Sequence, residues 1–411
     1  MALNYIWVAF FLIAFVVALV QLIFFQDYTI FERIMSASFD SAKSAVMVIA
    51  LPLAGIMTLW LGILNIGEKA GAIRFLSRIV GPFFGKLFPE IPKNHTANGQ
   101  LLMNFSATML GLDNAATPMG LKAMQSLQEI NPTKETASNA QIMFLALNTA
   151  GMTIIPINII AQRAIMGATS PTDVFIPILI ATFVATLSAI LFVGIRQRLN
   201  LLNRTVLGWI GGITFVLAGL VWWFSTMSKE EMATASSVLS NVTIFSIIVI
   251  FIGGALYKKI NVWEAFIDGA KGGFETSVKI IPYLVGMLVG VAVFRACGAM
   301  ELLTDGIKYL ISSVGLNTDF VDALPTAFMK PLSGSGARGM MLDTMKTYGA
   351  DSFVGHLSCL FQGAADTTFY IVALYFGSVG IKRTRYAIWA GLLADLAGAL
   401  AAIFLAYAFF K

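Results

Sequence analysis

Ionisable side chains stand inside apolar segments of this sequence, and they are the first candidates for chemistry. Residues 99–128 contain GLDNAATP, with Asp113 and Asn114, and residues 324–346 contain Lys330 and Arg338 around PLSGSGARG. An ionisable group within a membrane is costly and therefore marks a functional position by default. A local alternative stays open for the first segment, because Asp and Asn also cap helix N-termini.

The candidate side chains share amide, hydroxyl or charged groups and lie beside Gly, Pro, Ser or Thr. Glycine lets backbone approach a ligand closely, and free N–H groups at a helix N-terminus favour anions or polar groups. The predicted substrate-binding set is Asn104, Ser106, Asp113, Asn114, Asn148, Thr149, Ser333, Ser335, Arg338, Gln362, Asp366 and Thr367.

Two roles are open for Arg338 and for Asp366. The guanidinium of Arg338 either binds a carboxylate or phosphate of the solute in bidentate fashion or neutralises Asp113 or Asp366. Asp366 either carries a coupling proton or bonds to a neighbouring helix, and the amides and hydroxyls around it suit a neutral polar solute or Na⁺. No cofactor is predicted, and Na⁺ or H⁺ is a possible coupling ion.

Enzyme and metal motifs are missing from the sequence. His95 and His356 have no metal-ligand spacing, and HExxH, GxSxG and GxxxxGK[ST] do not occur. Cys297 and Cys359 stand singly in apolar segments and form no CxxC or disulfide pattern. We therefore predict a protein that is not an enzyme and that binds no metal.

The composition is that of a membrane protein. Of 411 residues, 58% are hydrophobic and 12% charged, with a mean hydropathy of +0.81, whereas soluble domains carry about 25% charged residues. The formal charge of +5 resides in short loops, where membrane topology places it. The predicted partner is thus a lipid bilayer and not a nucleic acid, and a homo-oligomer is left open.

Nine apolar segments are long enough to cross a bilayer, which takes about 20 residues. The first is interpreted as a transmembrane helix and not a signal peptide, because no basic region precedes it and its apolar stretch is too long. Segments 99–128 and 324–346 are apolar only at their ends and are predicted to be re-entrant helical hairpins. The nine segments are 4–26, 44–64, 137–164, 172–196, 206–225, 236–257, 277–297, 352–378 and 385–409.

The two halves of the chain resemble each other. AGAIRFL at 70–76 is similar to CGAMELL at 297–303, and LNTAGMT at 147–153 is similar to FQGAADT at 361–367. Segment 206–225 has no counterpart. The predicted domains are a first repeat over 1–200, a linker transmembrane helix within 201–232 and a second repeat over 233–411.

Basic loops exchange places between the halves. Loop 65–94 is basic and its counterpart 298–324 is acidic, whereas loop 166–173 has no cation and its counterpart 379–385 carries KRTR. Cytoplasmic loops carry the basic excess, so the N-terminus is expected inside and the C-terminus outside. The predicted fold is an all-α polytopic membrane protein with two inverted-topology repeats, each with about four transmembrane helices and one re-entrant hairpin, joined by a linker helix.

Long motifs in both halves resemble a known family. NFSATMLGLDNAATPMGLKAMQ and LNTAGMTIIPINIIAQR resemble spore maturation protein A, and IPYLVGMLVGVAVFRACGAMELL with PTAFMKPLSGSGARGMMLDTM resembles spore maturation protein B. The chain is thus similar to a fusion of the two over nearly its whole length, within the nucleoside recognition, or Gate, group. That group is similar to parts of concentrative nucleoside transporters and of the ferrous iron transporter B membrane domain. The resemblance implies a bacterial cytoplasmic (inner) membrane protein.

The predicted function is secondary transport of a small polar solute, such as a nucleoside-like compound, an amino acid or a related metabolite. Alternating access would occur around a mid-membrane site between the two hairpins; the alternative is an ion or metal-ion permeation protein of the Gate group. We expect the hairpin tips to meet the broken helices at 148–153 and 362–367. Each unpaired backbone group in hydrocarbon costs several kcal/mol, so interrupted segments are expected to cluster.

Overall fold

The computed structural model describes the backbone of residues 2–411, and the side chains of these residues other than 2–4, 113–115, 225, 229, 230 and 233. Its described part contains eighteen α-helices and no β-strand. Eight helical segments are long and apolar enough to cross a membrane. The prediction of an all-α polytopic membrane protein is therefore confirmed.

The first half of the chain forms nine helices. A π-helical turn, Ala45–Ala50, joins the second to the third without a break, so that 30–70 is one long helical segment. The helices are α1 (Ala2–Phe24), α2 (Ile30–Ser44), α3 (Leu51–Ala70), α4 (Ala72–Leu87), α5 (Thr96–Met109), α6 (Asp113–Glu129), α7 (Asn139–Ala150), α8 (Ile157–Ile165) and α9 (Phe175–Arg196).

The second half begins after a single connecting helix, α10 (Arg204–Ser225). A 3₁₀ turn, Val321–Ala323, precedes the short α14. The helices are α11 (Lys229–Tyr257), α12 (Val262–Ala296), α13 (Ala299–Ser313), α14 (Leu324–Met329), α15 (Gly334–Tyr348), α16 (Phe353–Gly363), α17 (Thr368–Ser378) and α18 (Ala387–Phe410).

The same order of elements occurs in both halves. A long helix ends at a left-handed glycine, Gly71 with φ 89° or Gly298 with φ 80°, where α4 or α13 begins. A pair of antiparallel helices follows, α5–α6 or α14–α15, and then an interrupted helix, α7–α8 or α16–α17. A long apolar helix, α9 or α18, closes each half. The predicted domain boundaries stay a prediction.

One predicted crossing, 137–164, is not a continuous helix. Gly151 takes a left-handed conformation, with φ 56°, and ends α7, and Pro156 precedes α8. Every residue of α7 from Ala140 to Ala150 is buried, so this helix lies within the protein and not against lipid. The predicted crossing 352–378 is likewise interrupted between Gly363 and Thr368.

Each half of the chain packs one of its helices against the other half. Helix α1 packs on α12, where the Trp7 Nε1 donates a hydrogen bond to the Gly286 carbonyl at 2.8 Å. Correspondingly, α11 packs on α3, where a Cβ on Gly67 would lie 2.6 Å from the ring of Phe251. Each half therefore supplies the outer helix of the other, and small residues allow the close approach.

Candidate functional site

A cavity of about 320 Å³ lies where four interrupted segments meet. The α5–α6 pair, the α7–α8 break, the α14–α15 pair and the α16–α17 break all reach its wall, and helices α3 and α12 complete it. The lining side chains and glycines from the interrupted segments are Thr108, Gly111, Gly151, Thr153, Ile155, Pro156, Ile157, Asn158, Ile159, Lys330, Gly334, Arg338, Gln362, Gly363, Ala365 and Asp366.

Backbone hydrogen bonds tie each hairpin to the break of its own half. The Ile154 N–H donates to the Met109 carbonyl at 2.7 Å, and the Phe369 N–H donates to the Pro331 carbonyl at 3.0 Å. Helical interruptions leave such groups without partners along the chain. In both halves, therefore, a backbone hydrogen bond between hairpin and break pairs groups that the helical interruptions would leave without a partner.

A third hydrogen bond joins the two breaks directly. The Asp366 N–H donates to the Thr149 carbonyl at 2.7 Å. A Cβ on Gly151 would lie 3.1 Å from both the backbone nitrogen and the Cβ of Asp366. The crossing of the two breaks therefore requires glycine at position 151, for the space as well as for the left-handed conformation.

Among the described residues, three charged side chains line the cavity: Lys330, Arg338 and Asp366. Lys330 is buried, and Asp366 accepts a hydrogen bond from the Thr367 N–H at 2.7 Å. Gln362 is also buried on this wall, and its Oε1 has no hydrogen-bond partner among the described residues. The wall thus presents cationic, anionic and amide groups together.

The part of the lining that helices α3 and α12 contribute is mostly apolar. Helix α3 contributes Leu53, Met57, Leu61 and Leu64, and α12 contributes Ile280 beside Thr276. A solute in this cavity therefore contacts apolar side chains as well as charged and amide groups.

The structure brings only part of the predicted set to the cavity wall. Arg338, Gln362 and Asp366 line it. Asn104 is buried within the first hairpin, where its Nδ2 on α5 donates to the Ala116 carbonyl of α6 at 2.8 Å. The side chains of Asp113 and Asn114 lie outside the described part of the structure.

The other predicted side chains bond locally around the cavity. Asn148 donates to the Phe144 carbonyl at 2.9 Å and Thr149 to the Ala146 carbonyl at 2.9 Å, both within α7. The Ser106 hydroxyl lies 3.0 Å from the Ser77 hydroxyl. These side chains support the segments that form the wall.

The second hairpin turn is capped by its own serine. The Ser333 hydroxyl accepts from the Gly336 N–H at 3.0 Å and lies 3.2 Å from the Ser335 hydroxyl. Thr367 is buried, and a Cβ on Gly334 would lie 2.7 Å from its Oγ1. The Gly-Ser run therefore builds a helix N-terminus and a close contact between hairpin and break.

Sequence reasoning missed Asn158 and Thr276 on the wall, and did not place Lys330 in the binding set. Asn158 stands alone in the apolar run IPINII, and a single polar residue there is the only signal it gives. Asp395, another ionisable residue in an apolar helix, accepts a hydrogen bond from Thr368 at 2.7 Å.

Comparisons with known proteins match parts of this chain by sequence. Residues 50–166 match the family model Gate, described as nucleoside recognition. Spore maturation protein A of Bacillus subtilis (strain 168) is 37% identical over 188 residues, which is 46% of this chain and 92% of that protein. Spore maturation protein B of the same organism is 45% identical over 158 residues, which is 38% of this chain and 87% of that protein. The chain belongs to the spore maturation protein family.

The two relatives each cover part of the chain, as a fusion of the two would require. The resemblance to spore maturation proteins A and B is thereby confirmed. The Gate match begins just before α3 and ends with α8, so the first hairpin and the first break both belong to the matched region. No solved structure matches the chain.

A buried arginine joins the halves of this spore maturation family member at one end of the bundle. Arg163 of α8 has no exposed side-chain surface. Its Nη1 donates to the Ala350 carbonyl at 2.7 Å, and its Nη2 lies 3.0 Å from Asp173 and 3.2 Å from Asp351. The Nε2 of His356 is 3.1 Å from the same Nη2.

Asp173, Asp351 and His356 have the ligand types of a metal site, with their ligand atoms within 4.8 Å of one another. The guanidinium of Arg163 contacts all three side chains. The positive charge between the two carboxylates is therefore supplied by arginine, in the place that a metal ion would take. Burial pushes the pKa of Asp351 upward, but hydrogen bonds from Thr169 and the nearby cation lower it more, and the pKa lies below its ordinary value of 3.8.

Proposed function

We propose that this protein is a secondary transporter for a small polar solute and that the cavity between the hairpins is its binding site. The observation that carries the proposal is the meeting of four interrupted segments around one cavity. Secondary transporters bind their substrates where discontinuous helices of two repeats meet. The volume of about 320 Å³ lies at the lower end of the range for ligand pockets, about 300–1,000 Å³, and suits a nucleoside-like compound, an amino acid or a related metabolite.

The chemistry of the wall favours a solute with a polar or charged group at one end. Arg338 and Lys330 suit a carboxylate or phosphate, which arginine binds in bidentate fashion. Asp366 and Gln362 on the same wall suit an amine, a hydroxyl or an amide. Asp366 is also the proposed carrier of a coupling proton or ligand of a coupling Na⁺.

The repeated order of elements supports an inverted arrangement of the halves. In this proposal the second half crosses the membrane in the opposite sense to the first, and both hairpins are re-entrant. The exchange of basic loops between the halves supports it. The protein would reside in a bacterial cytoplasmic membrane with its N-terminus inside and its C-terminus outside, and rocking of one half against the other would expose the cavity alternately.

Permeation of an ion is the second candidate function. The carboxylate of Asp366 and the unpartnered Oε1 of Gln362 are oxygen ligands of the kind that hard cations prefer. Lys330 and Arg338 lie on the same wall and oppose a cation by charge repulsion. The cavity therefore supports solute binding better than cation passage.

Ligand-induced thermal stabilisation of the purified protein tests the proposal. A screen of nucleosides, amino acids and dipeptides should find a compound that raises the melting temperature. Arg338→Gln and Asp366→Asn should each abolish that rise, whereas Lys382→Gln, at an exposed loop position, should retain it. Equal stabilisation of all three variants would place the binding site elsewhere.

A further inference from the structure

A second cavity, of about 620 Å³, opens at the end of α4. It lies between the last turn of α4, the connection to α5 and the connection from α9 to α10. Three cations reach its wall, Lys86, Lys93 and Arg198, and all three are exposed. None of the described residues that line it is acidic.

The cations of this wall are not neutralised by the protein. Among the described residues, no carboxylate lies within 4.0 Å of Lys86, Lys93 or Arg198. The nearest acidic neighbour in sequence, Glu90, instead accepts a hydrogen bond from Asn139 at 2.7 Å. The cavity therefore presents a concentrated positive charge to any ligand that enters it.

The floor of the same cavity is aromatic and aliphatic. The rings of Phe84 and Phe88 are stacked with their centres 5.7 Å apart, and Leu102 lies beside them. Outside the cavity, Phe75 in the first turn of α4 is 66% exposed, and Leu202 in the α9–α10 connection is 79% exposed. Both side chains are accessible to lipid acyl chains.

A cationic rim above an apolar floor fits an amphiphilic anion. Basic pockets between membrane helices bind the head groups of anionic lipids, and α4 is itself amphipathic, with Val80 and Phe84 buried and Arg74 and Arg78 exposed. Helices of this kind lie along the membrane interface. A free anion would bind the three cations but would make no contact with the apolar side chains of the cavity.

We propose that this cavity binds the head group of an anionic phospholipid. Lys86, Lys93 and Arg198 contact the phosphate, and the acyl chains follow the exposed apolar side chains of α4 and the α9–α10 connection. The site is separate from the cavity between the hairpins and does not depend on the transport proposal. Each cation near an anionic lipid surface contributes about fivefold to binding.

Native mass spectrometry of the detergent-purified full chain tests this site. The wild type should retain phosphatidylglycerol in preference to phosphatidylcholine. The variant Lys86→Gln/Lys93→Gln/Arg198→Gln should weaken phosphatidylglycerol binding at least tenfold. The control Arg74→Gln/Arg78→Gln/Lys258→Gln removes the same charge, with two of its changes on α4 outside the cavity wall, and should keep the preference.

The outcomes separate the possible sources of the effect. An equal loss in the cavity variant and the control would show general surface electrostatics and overturn the proposal. Inorganic phosphate that displaces phosphatidylglycerol at comparable concentration would show a site for soluble anions and would also overturn it. Lys93→Gln alone, at an exposed turn, should weaken binding about fivefold. The variant Lys86→Arg/Lys93→Arg keeps both charges and should bind like the wild type. These two variants test the proposal even if the triple variant does not fold.

Discussion

Replacement of Arg163 by methionine removes the cation that holds the two halves together at one end of the bundle. Methionine keeps much of the apolar length of the side chain but offers no donor. The substitution leaves the Ala350 carbonyl without the bond at 2.7 Å and leaves Asp173 and His356 without their shared partner. Ala350 and His356 belong to the second half and Asp173 to the first, so the loss weakens the junction between the halves and not one helix.

The expected cost is about 3–5 kcal/mol, which is the usual effect of removing one member of a buried ion pair. The lower end is the better expectation, because the Asp351 side chain is 41% exposed and water can solvate it. Asp173 is only 17% exposed and His356 7%, so water offsets less of their loss, although the His356 Nε2 and Asp173 Oδ2 keep their own contact at 2.9 Å. The dominant contribution therefore comes from Asp173, His356 and the Ala350 carbonyl.

The measurement is the free energy of unfolding, or the melting temperature, of purified wild type and variant in the same detergent. Lys382→Met is the matched control, because Lys382 also joins the halves, through Glu135 at 2.7 Å, but with both side chains more than half exposed. An exposed pair contributes at most about 1 kcal/mol. Equal losses in the two variants would contradict the role given to Arg163, and so would stabilisation of the wild type by a divalent metal.

Three further results are expected. The pKa of Asp351 is lowered in the folded protein. Its contribution to stability is therefore complete above its unfolded pKa of about 3.8 and is lost as pH falls through the lower folded value. Asp351→Asn should flatten the dependence of stability on pH in that acidic range, and an unchanged dependence would show that other groups control it. Gly151→Val should abolish ligand binding and destabilise more than Gly167→Val, since both glycines have positive φ but only Gly151 has Asp366 within 3.1 Å; equal effects would exclude the steric contribution. Impermeant cysteine reagents applied to intact cells should label single cysteines at 226–228 or 314–318 but not at 199–202, and labelling of 199–202 would contradict the inverted arrangement.

The membrane class and most helices were predictable because they follow from local properties. Length and hydropathy predicted nine crossing segments, and eight described helical segments of the structure are long and apolar enough to cross a membrane. Gly151 and Pro156 both favour the interruption after α7, because glycine readily takes the left-handed conformation that ends this helix and proline lacks the backbone donor that a helix needs. Arg338 and Asp366 were identified because charge in an apolar segment is rarely tolerated without a role.

Side-chain direction at an interrupted helix was not predictable. Asn148 and Asp366 occupy similar places in the two breaks, yet Asn148 turns back to its own helix at Phe144 while Asp366 faces the cavity. The Arg163 cluster was missed altogether. Its partners Asp351 and His356 are 188 and 193 residues away along the chain, and no spacing rule reaches that far.

The exchange of outer helices has a consequence for biosynthesis. Trp7 and its partner Gly286 are 279 residues apart, and a ribosome adds about 5–20 residues per second. The first helix therefore waits roughly 14–56 s in the bilayer before its permanent neighbour is made. During that interval the Thr149 carbonyl also lacks the Asp366 amide that later binds it. The first half must therefore stay in the membrane as an incomplete bundle until the second half is made. During that time the insertion machinery or the surrounding lipid has to supply the contacts that the second half later provides.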